Sequence, residues 1–202
     1  MPYSCLPSDL RVKFEGYVTA YNQAEKALKL FEVSTFEGLI FPSVNELRCA
    51  GQHIARALSA SSVEISLEEI SHATRHARRA QYDAYDAVIN YYLSGCKVFQ
   101  EDYKAEPISG VNPDYAKEKI EIEQLVKDLS QEDRSQIENY VDQKDCQLSK
   151  VQAICEKWNS TREELNKKIK IRQKSAKVQF WTLVAAILTL VFTIVACSLP
   201  QK

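Results

Sequence analysis

Apolar residues recur at intervals of three and four along most of the chain, a spacing that favours amphipathic helices over strands. The first such run extends from Ser8 to about Phe31, and the second from about Ser43 to Ser59. A third run, about residues 66–103, carries a stripe made mostly of alanine, and small side chains allow helices to pack closely. The pattern predicts an all-α fold built as a bundle of long helices.

A break rich in proline and glycine at residues 106–114 is followed by apolar residues at near-heptad spacing. This second half is interrupted near residue 130, and Arg134 and Lys144 place charges where a coiled-coil seam requires apolar residues. Two interpretations stay open: helices that return to the bundle, or an intermolecular coiled coil. The predicted division is a bundle at 1–110, a long, coiled-coil-like helical stalk at 111–177, and a transmembrane helix at 178–199.

The segment from Val178 to Ser198 has no charged residue and, at about 1.5 Å per residue, is long enough to cross a bilayer's hydrocarbon core. A basic cluster without acidic residues precedes it, and such clusters stay on the cytosolic side of a membrane. The sequence therefore predicts a single C-terminal anchor with the N-terminal mass in the cytosol. The cluster consists of Lys167, Lys168, Lys170, Arg172, Lys174 and Lys177.

Charge and motifs exclude several function classes. The net charge is −1, but residues before Lys167 carry 19 basic against 27 acidic side chains, which argues against non-specific binding of nucleic acid by the body. The six cysteines form no Cys-x-x-Cys pair, so neither a zinc site nor a disulfide framework is indicated. Signatures of nucleotide-binding loops, zinc proteases and serine hydrolases are also absent. We therefore expect no metal and no cofactor.

Arg48 and His53 form one candidate catalytic pair, in the spacing R-x4-H on the second predicted helix. They lie about 140° apart around a helix, so this pair acts together only where two chains meet. Arginine would then stabilise phosphate charge while histidine moves a proton at a ribose 2′-hydroxyl. The pair predicts a metal-independent ribonuclease, as an alternative to a protein without enzymatic activity.

A second candidate site is a polar stripe on the third predicted helix, at steps of four, three and four. It faces away from the alanine stripe and could bind an anionic partner or RNA phosphate through its cations. The alternative is a solvated face in which charges pair along the helix. The stripe consists of His72, His76, Arg79 and Asp83.

Inside the apolar segment, small and weakly polar residues recur every four positions beside an aromatic residue at its cytosolic end. Such strips let membrane helices pack closely, which predicts self-association and, in a larger assembly, a pore. The alternative is a passive anchor whose threonines bond their own backbone. The residues are Trp181, Thr182, Ala185, Thr189 and Thr193.

The stretches NELRCAGQHIARAL (45–58) and EEISHATRHARRAQYDAYDAV (68–88) resemble the paired helices of HEPN-like proteins from bacterial defence loci. The resemblance covers about residues 8–105. In that family R-x4-6-H is the ribonuclease motif, matched here by Arg48 and His53. The resemblance implies a module of bacterial immunity, acting either as a ribonuclease or as a degenerate domain that binds and assembles.

The leading hypothesis is a tail-anchored effector or adaptor of bacterial antiviral defence, in the inner membrane, that forms a homo-oligomer and acts on the bilayer. Its expected partners are lipid, an unidentified cytosolic protein and, if it is a nuclease, RNA. A membrane-anchored HEPN-type ribonuclease is the first alternative. A eukaryotic tether resembling SNARE proteins is the second, since a coiled coil leading into a C-terminal anchor is the plan of those proteins.

Overall fold

A computed structural model describes residues 7–35, 40–133 and 136–198, with side chains described for all of these except 138, 139 and 191–198. Every regular element in this part of the chain is helical, which confirms the predicted all-α bundle. The α-helices are α1 (Ser8–Thr35), α2 (Phe41–Leu58), α3 (Val63–Asp102), α4 (Tyr115–Gln131) and α5 (Ile137–Ser198), and a 3₁₀ turn at Ile108–Gly110 separates α3 from α4.

Helix α3 is the central helix of the bundle and contacts α1, α2 and α5. Over its N-terminal half, the alanine stripe predicted from the sequence packs against α1 and α2, and Ala73 and Ala77 are fully buried. Because alanine adds so little bulk, the backbones of α2 and α3 approach closely and polar side chains beside the seam can reach across it. The other buried members of this cluster are Tyr17, Ala20, Ala50, Ala57 and Ile70.

The C-terminal half of α3 packs against α4 and α5 around an aromatic centre. Phe99 and Trp158 are both fully buried, with ring centroids 5.3 Å apart. The apolar seam of the second half of the chain lies in this core, so its buried residues contact their own chain rather than a second copy. They include Leu148, Val151, Cys155, Trp158 and Leu165. This core combines residues from both sides of position 110.

Lys144 corrects one expectation, since it was predicted to interrupt the seam. It is fully buried, and its Nζ donates to Glu132 Oε2 at 2.8 Å and to Asp86 Oδ1 at 3.3 Å. The ammonium also lies 4.3 Å from the centre of the Tyr82 ring. Two carboxylates and an aromatic face thus replace the water that the charge loses, and the seam continues through this residue. Arg134 lies outside the described residues.

Helix α5 continues without interruption for 62 residues, about 93 Å. Its first half belongs to the bundle. From residue 173 to residue 190 it projects with its side chains exposed, except that of Val184, which is half-buried. Within the described ranges no helix combines the length and apolar character needed to cross a membrane. The side chains of 191–198 and all of residue 199, which complete the predicted transmembrane segment, lie outside the described part.

Candidate functional site: a histidine cluster between two helices

The chain has three histidines, and the structure brings all of them together on one edge of the α2–α3 pair. His72 and His76 lie one turn apart on α3, and His53 of α2 places its ring between theirs. The centroid of the His53 ring is 5.1 Å from each neighbour, with planes inclined by 13° and 20°. The three imidazoles form a single stack across the helix seam.

Two glutamates hold this stack from opposite helices. His53 Nδ1 lies 2.6 Å from Glu69 Oε2, and His76 Nδ1 lies 2.6 Å from Glu46 Oε2. Helix α2 supplies His53 and Glu46, and the antiparallel helix α3 supplies Glu69 and His76, so each helix contributes one histidine and one glutamate. The four side chains are only 17% to 23% exposed, so water competes weakly for these bonds.

The partners of each ring define its tautomer. An ionised carboxylate accepts hydrogen bonds but cannot donate them, so His53 and His76 carry a proton on Nδ1. Arg75 Nη2 lies 2.6 Å from His72 Nδ1, and a guanidinium only donates, so His72 accepts there and carries its proton on Nε2. His53 and His76 in their neutral form thus each keep a basic Nε2.

The charge on Glu69 follows from these contacts. The hydrogen bond from His53 is the largest cause that lowers the pKa of Glu69 below its ordinary value, and Arg56 and His72 add favourable charge. A lowered pKa keeps the carboxylate ionised, which in turn fixes the orientation of the His53 ring. A histidine oriented in this way can act as a general base or acid.

The sequence-predicted candidates divide into two groups. His53, His72 and His76 meet in the stack. Arg48, by contrast, is exposed and its Nη2 donates to Asn45 Oδ1 of its own helix at 3.0 Å, so the R-x4-H pair is not assembled within one chain. Arg79 and Asp83 are half-buried and continue the line along α3, about 4.5 and 10.5 Å beyond His76 along the axis.

Sequence reasoning missed Glu46 and Glu69, because each bonds to a histidine on another helix, 30 and 16 residues away. The signal that could have found them is the hairpin register. In antiparallel helices the sum of facing residue numbers stays roughly constant, and both His–Glu pairs sum to the same number.

The projecting part of α5 is the second functional feature. Over residues 178–190 exposed large apolar side chains lie beside the strip of small residues, and Trp181, for example, is 67% exposed. Thr182 Oγ1 and Thr189 Oγ1 each donate to the carbonyl four residues earlier, at 2.9 Å. These hydroxyls bond within one helix, as the passive-anchor alternative requires. Ala185 is exposed, and Thr193 lies outside the described side chains.

Among the described residues, no group of three or more histidine, cysteine, aspartate or glutamate side chains is arranged to hold a metal ion. The chain matches no protein-family model, and neither a curated protein nor a solved structure is significantly similar to it.

Proposed function

We propose that the protein is a single-pass, tail-anchored membrane adaptor or effector with a cytosolic helical body. The observation that carries this proposal is the uncovered apolar surface of α5 beyond the bundle. Over residues 178–190 the large apolar side chains, apart from that of Val184, are more than half exposed to solvent. Exposed apolar area costs roughly 25 cal/mol per Å², so this surface favours an apolar surrounding.

The orientation follows from charge. The six basic residues at positions 167–177 lie directly before the apolar stretch, and basic residues beside an anchor stay in the cytosol. The body, with its net negative charge, then faces the cytosol and carries the histidine cluster. By its resemblance to HEPN-like proteins, we place the protein in bacterial antiviral defence at the inner membrane.

In this proposal, the protein acts on the membrane only when several copies associate. The strip of Ala185, Thr189 and Thr193 supplies the close-packing surface for copies of α5 in the bilayer. Light scattering of the full chain in mild detergent tests this directly. We expect several copies per particle, reduced by Thr189→Leu and unchanged by the exposed substitution Thr19→Leu on α1. A monomeric wild type contradicts the effector mechanism and leaves a passive anchor.

Flotation of the full-length protein with lipid vesicles tests the anchor. Leu188→Arg places a charge near the middle of the proposed membrane segment, which costs about 2.5–3.5 kcal/mol, so we expect the variant to float poorly. Val33→Arg is the matched control, because Val33 is 72% exposed on the body and is predicted to float like the wild type. Equal flotation of both variants, or none by the wild type, contradicts the anchor.

The histidine stack favours a second candidate function, a metal-independent ribonuclease. Two imidazoles at 5.1 Å, each oriented by a glutamate, can in principle share acid and base roles at one phosphodiester. Neutral His76 would take the proton of a 2′-hydroxyl as its oxygen bonds to phosphorus. Protonated His53 would give a proton to the 5′-oxygen as the P–O5′ bond breaks, which leaves a 2′,3′-cyclic phosphate and a 5′-hydroxyl.

RNA cleavage by the full chain in detergent distinguishes the candidates. The stack predicts a loss of 10²-fold or more in both His53→Asn and His76→Asn, and little change in Arg48→Ala. The R-x4-H assignment predicts that Arg48→Ala is as damaging as His53→Asn and that His76→Asn is mild. A wild type without cleavage supports the non-enzymatic adaptor.

A further inference from the structure

The six basic residues before the apolar segment form two separate faces of α5. At 100° per residue, Lys168 and Arg172 lie on one side, close to the buried Leu165. The other four recur at steps of three, four and three and lie on the opposite side, about 160° away. They are Lys167, Lys170, Lys174 and Lys177, and we call them the lysine stripe.

The face that carries Lys168 and Arg172 is used inside the molecule. Lys168 Nζ donates to the carbonyl of Gly110 at 3.1 Å, and Arg172 Nη2 donates to Glu106 Oε1 at 2.6 Å. Both contacts fix α5 to the loop that follows α3. These two cations therefore help to position the projecting helix, and both have hydrogen-bond partners within the chain.

The lysine stripe, in contrast, is free. All four side chains are exposed, and no ion pair involves them in the part of the chain that the structure describes. The stripe spans eleven residues, about 15 Å of helix, and faces away from the acidic body. It ends at Lys177, directly before the apolar surface begins at Val178.

We propose that the lysine stripe binds the headgroups of anionic phospholipids. This inference rests on the proposed membrane anchor. The headgroup layer is about 5–8 Å deep, and Lys174 lies only about 6 Å above Val178 along the helix, so Lys174 and Lys177 reach it directly. A tilt of α5 toward the stripe brings Lys170 and Lys167 closer and lifts the acidic body away from the like-charged surface.

The experiment uses the tryptophan beside the stripe as an internal probe. The full-length protein is reconstituted into phosphatidylcholine vesicles that contain a small fixed fraction of dansyl-labelled phosphatidylglycerol or dansyl-labelled phosphatidylcholine. Energy transfer from Trp181 then reports which labelled lipid is enriched around the helix. Trp158, the other tryptophan of the chain, lies about 35 Å farther up the helix and contributes less.

We expect stronger transfer to labelled phosphatidylglycerol, weakening as salt is raised. Replacing the four stripe lysines by glutamine is predicted to reduce the preference about fivefold for each lysine that reaches the headgroups. The matched control replaces the exposed Lys13, Lys26, Lys97 and Lys104 by glutamine, which changes the net charge equally, and it keeps the preference.

Three outcomes overturn the inference: equal transfer to both lipids in the wild type, an unchanged preference in the stripe variant, or an equal loss in the control. Flotation of the same samples keeps this result separate from the anchor. If the wild type floats but shows no preference, the stripe proposal fails alone. If it does not float, the anchor fails and the stripe proposal falls with it.

Discussion

Lys144 shows how one residue can satisfy two conflicting demands. Its position in the seam requires burial, while its ammonium requires polar partners. Glu132 supplies the closest partner and is itself only 5% exposed, and it also accepts from the Tyr82 hydroxyl and from Gln147. The network joins α3, the α4–α5 connection and α5, so its charges fix how these elements align.

Removal of this ammonium leaves a buried carboxylate without its cation. We predict that Lys144→Ala lowers the free energy of unfolding by about 3–5 kcal/mol, because breaking one side of a buried pair is more costly than losing the pair. Urea unfolding followed by circular dichroism measures the change. Lys150→Ala, at an exposed position of the same helix, is expected to change stability by less than about 0.5 kcal/mol. A similar small loss for Lys144→Ala contradicts this account.

Glu118 makes stability depend on pH. Burial by itself raises the pKa of Glu118, but hydrogen bonds from Lys157, Asn112 and Trp158 outweigh it, and the pKa is lowered from 4.5. A lowered pKa adds stability above the unfolded value that is lost as pH falls through the folded value. We expect Glu118→Gln to lower the free energy of unfolding by about 1.5–3 kcal/mol at pH 7. The difference in this free energy between the variant and the wild type is expected to narrow below about pH 4.5. A gap independent of pH contradicts the ionised Glu118.

At the scale of elements, periodicity predicted most of the helices well. The first predicted helix began at the same residue as α1, and the third, from about 66 to 103, corresponds to α3. The spacing of apolar residues predicts these helices because each helix buries one continuous stripe of side chains, such as Ala73, Ala77 and Ala80 on α3. The break at 106–114 was also predicted, since proline and glycine disfavour helix at that point.

The contacts between helices were not predictable in the same way. Seam residues such as Val151 and Trp158 have the same spacing whether the partner is α3 or a second chain, so periodicity left both alternatives open. These seam residues are buried in one core with Phe99 of α3, so their packing partner is the same chain. The glutamates of the histidine cluster and the partners of Lys144 depend on the register of packed helices, which one sequence does not display.

The packing of α3 on α5 depends on one small residue. A methyl group on Gly95 would lie 3.1 Å from Cys155 Sγ, which is closer than an ordinary van der Waals contact. Cys155 and the neighbouring Cys96 are both buried. We predict that Gly95→Ala lowers stability by about 1 kcal/mol or more through overpacking, although alanine favours helix. Gly51→Ala is the control: nothing lies within 4 Å, so it is expected to stabilise α2.

Thermal unfolding of both variants measures these effects. Adding Cys155→Ala should remove the crowding, so the loss in the double variant is smaller than the sum of the single losses. If Gly95→Ala stabilises the protein as Gly51→Ala does, the two helices do not approach as closely as described.

At the scale of the whole molecule, one helix links body and projection. Because α5 is continuous, its buried half fixes the direction in which the apolar half leaves the bundle. At this junction the side chains of Lys168 and Arg172 contact the loop after α3. Assembly or tilting of the proposed membrane segment would therefore turn the body that carries the histidines as well, and we propose that this couples the two sites.

Hydrogen–deuterium exchange of the full-length protein in lipid nanodiscs tests the central claim most directly, because it reports where water access along α5 ends. We predict slow exchange in the bundle, faster exchange around residues 173–177, and renewed strong protection from Val178 to the last amides of the helix. Exchange across 178–190 as fast as that of 173–177 would show that α5 does not enter the bilayer, and the proposed anchor would be wrong.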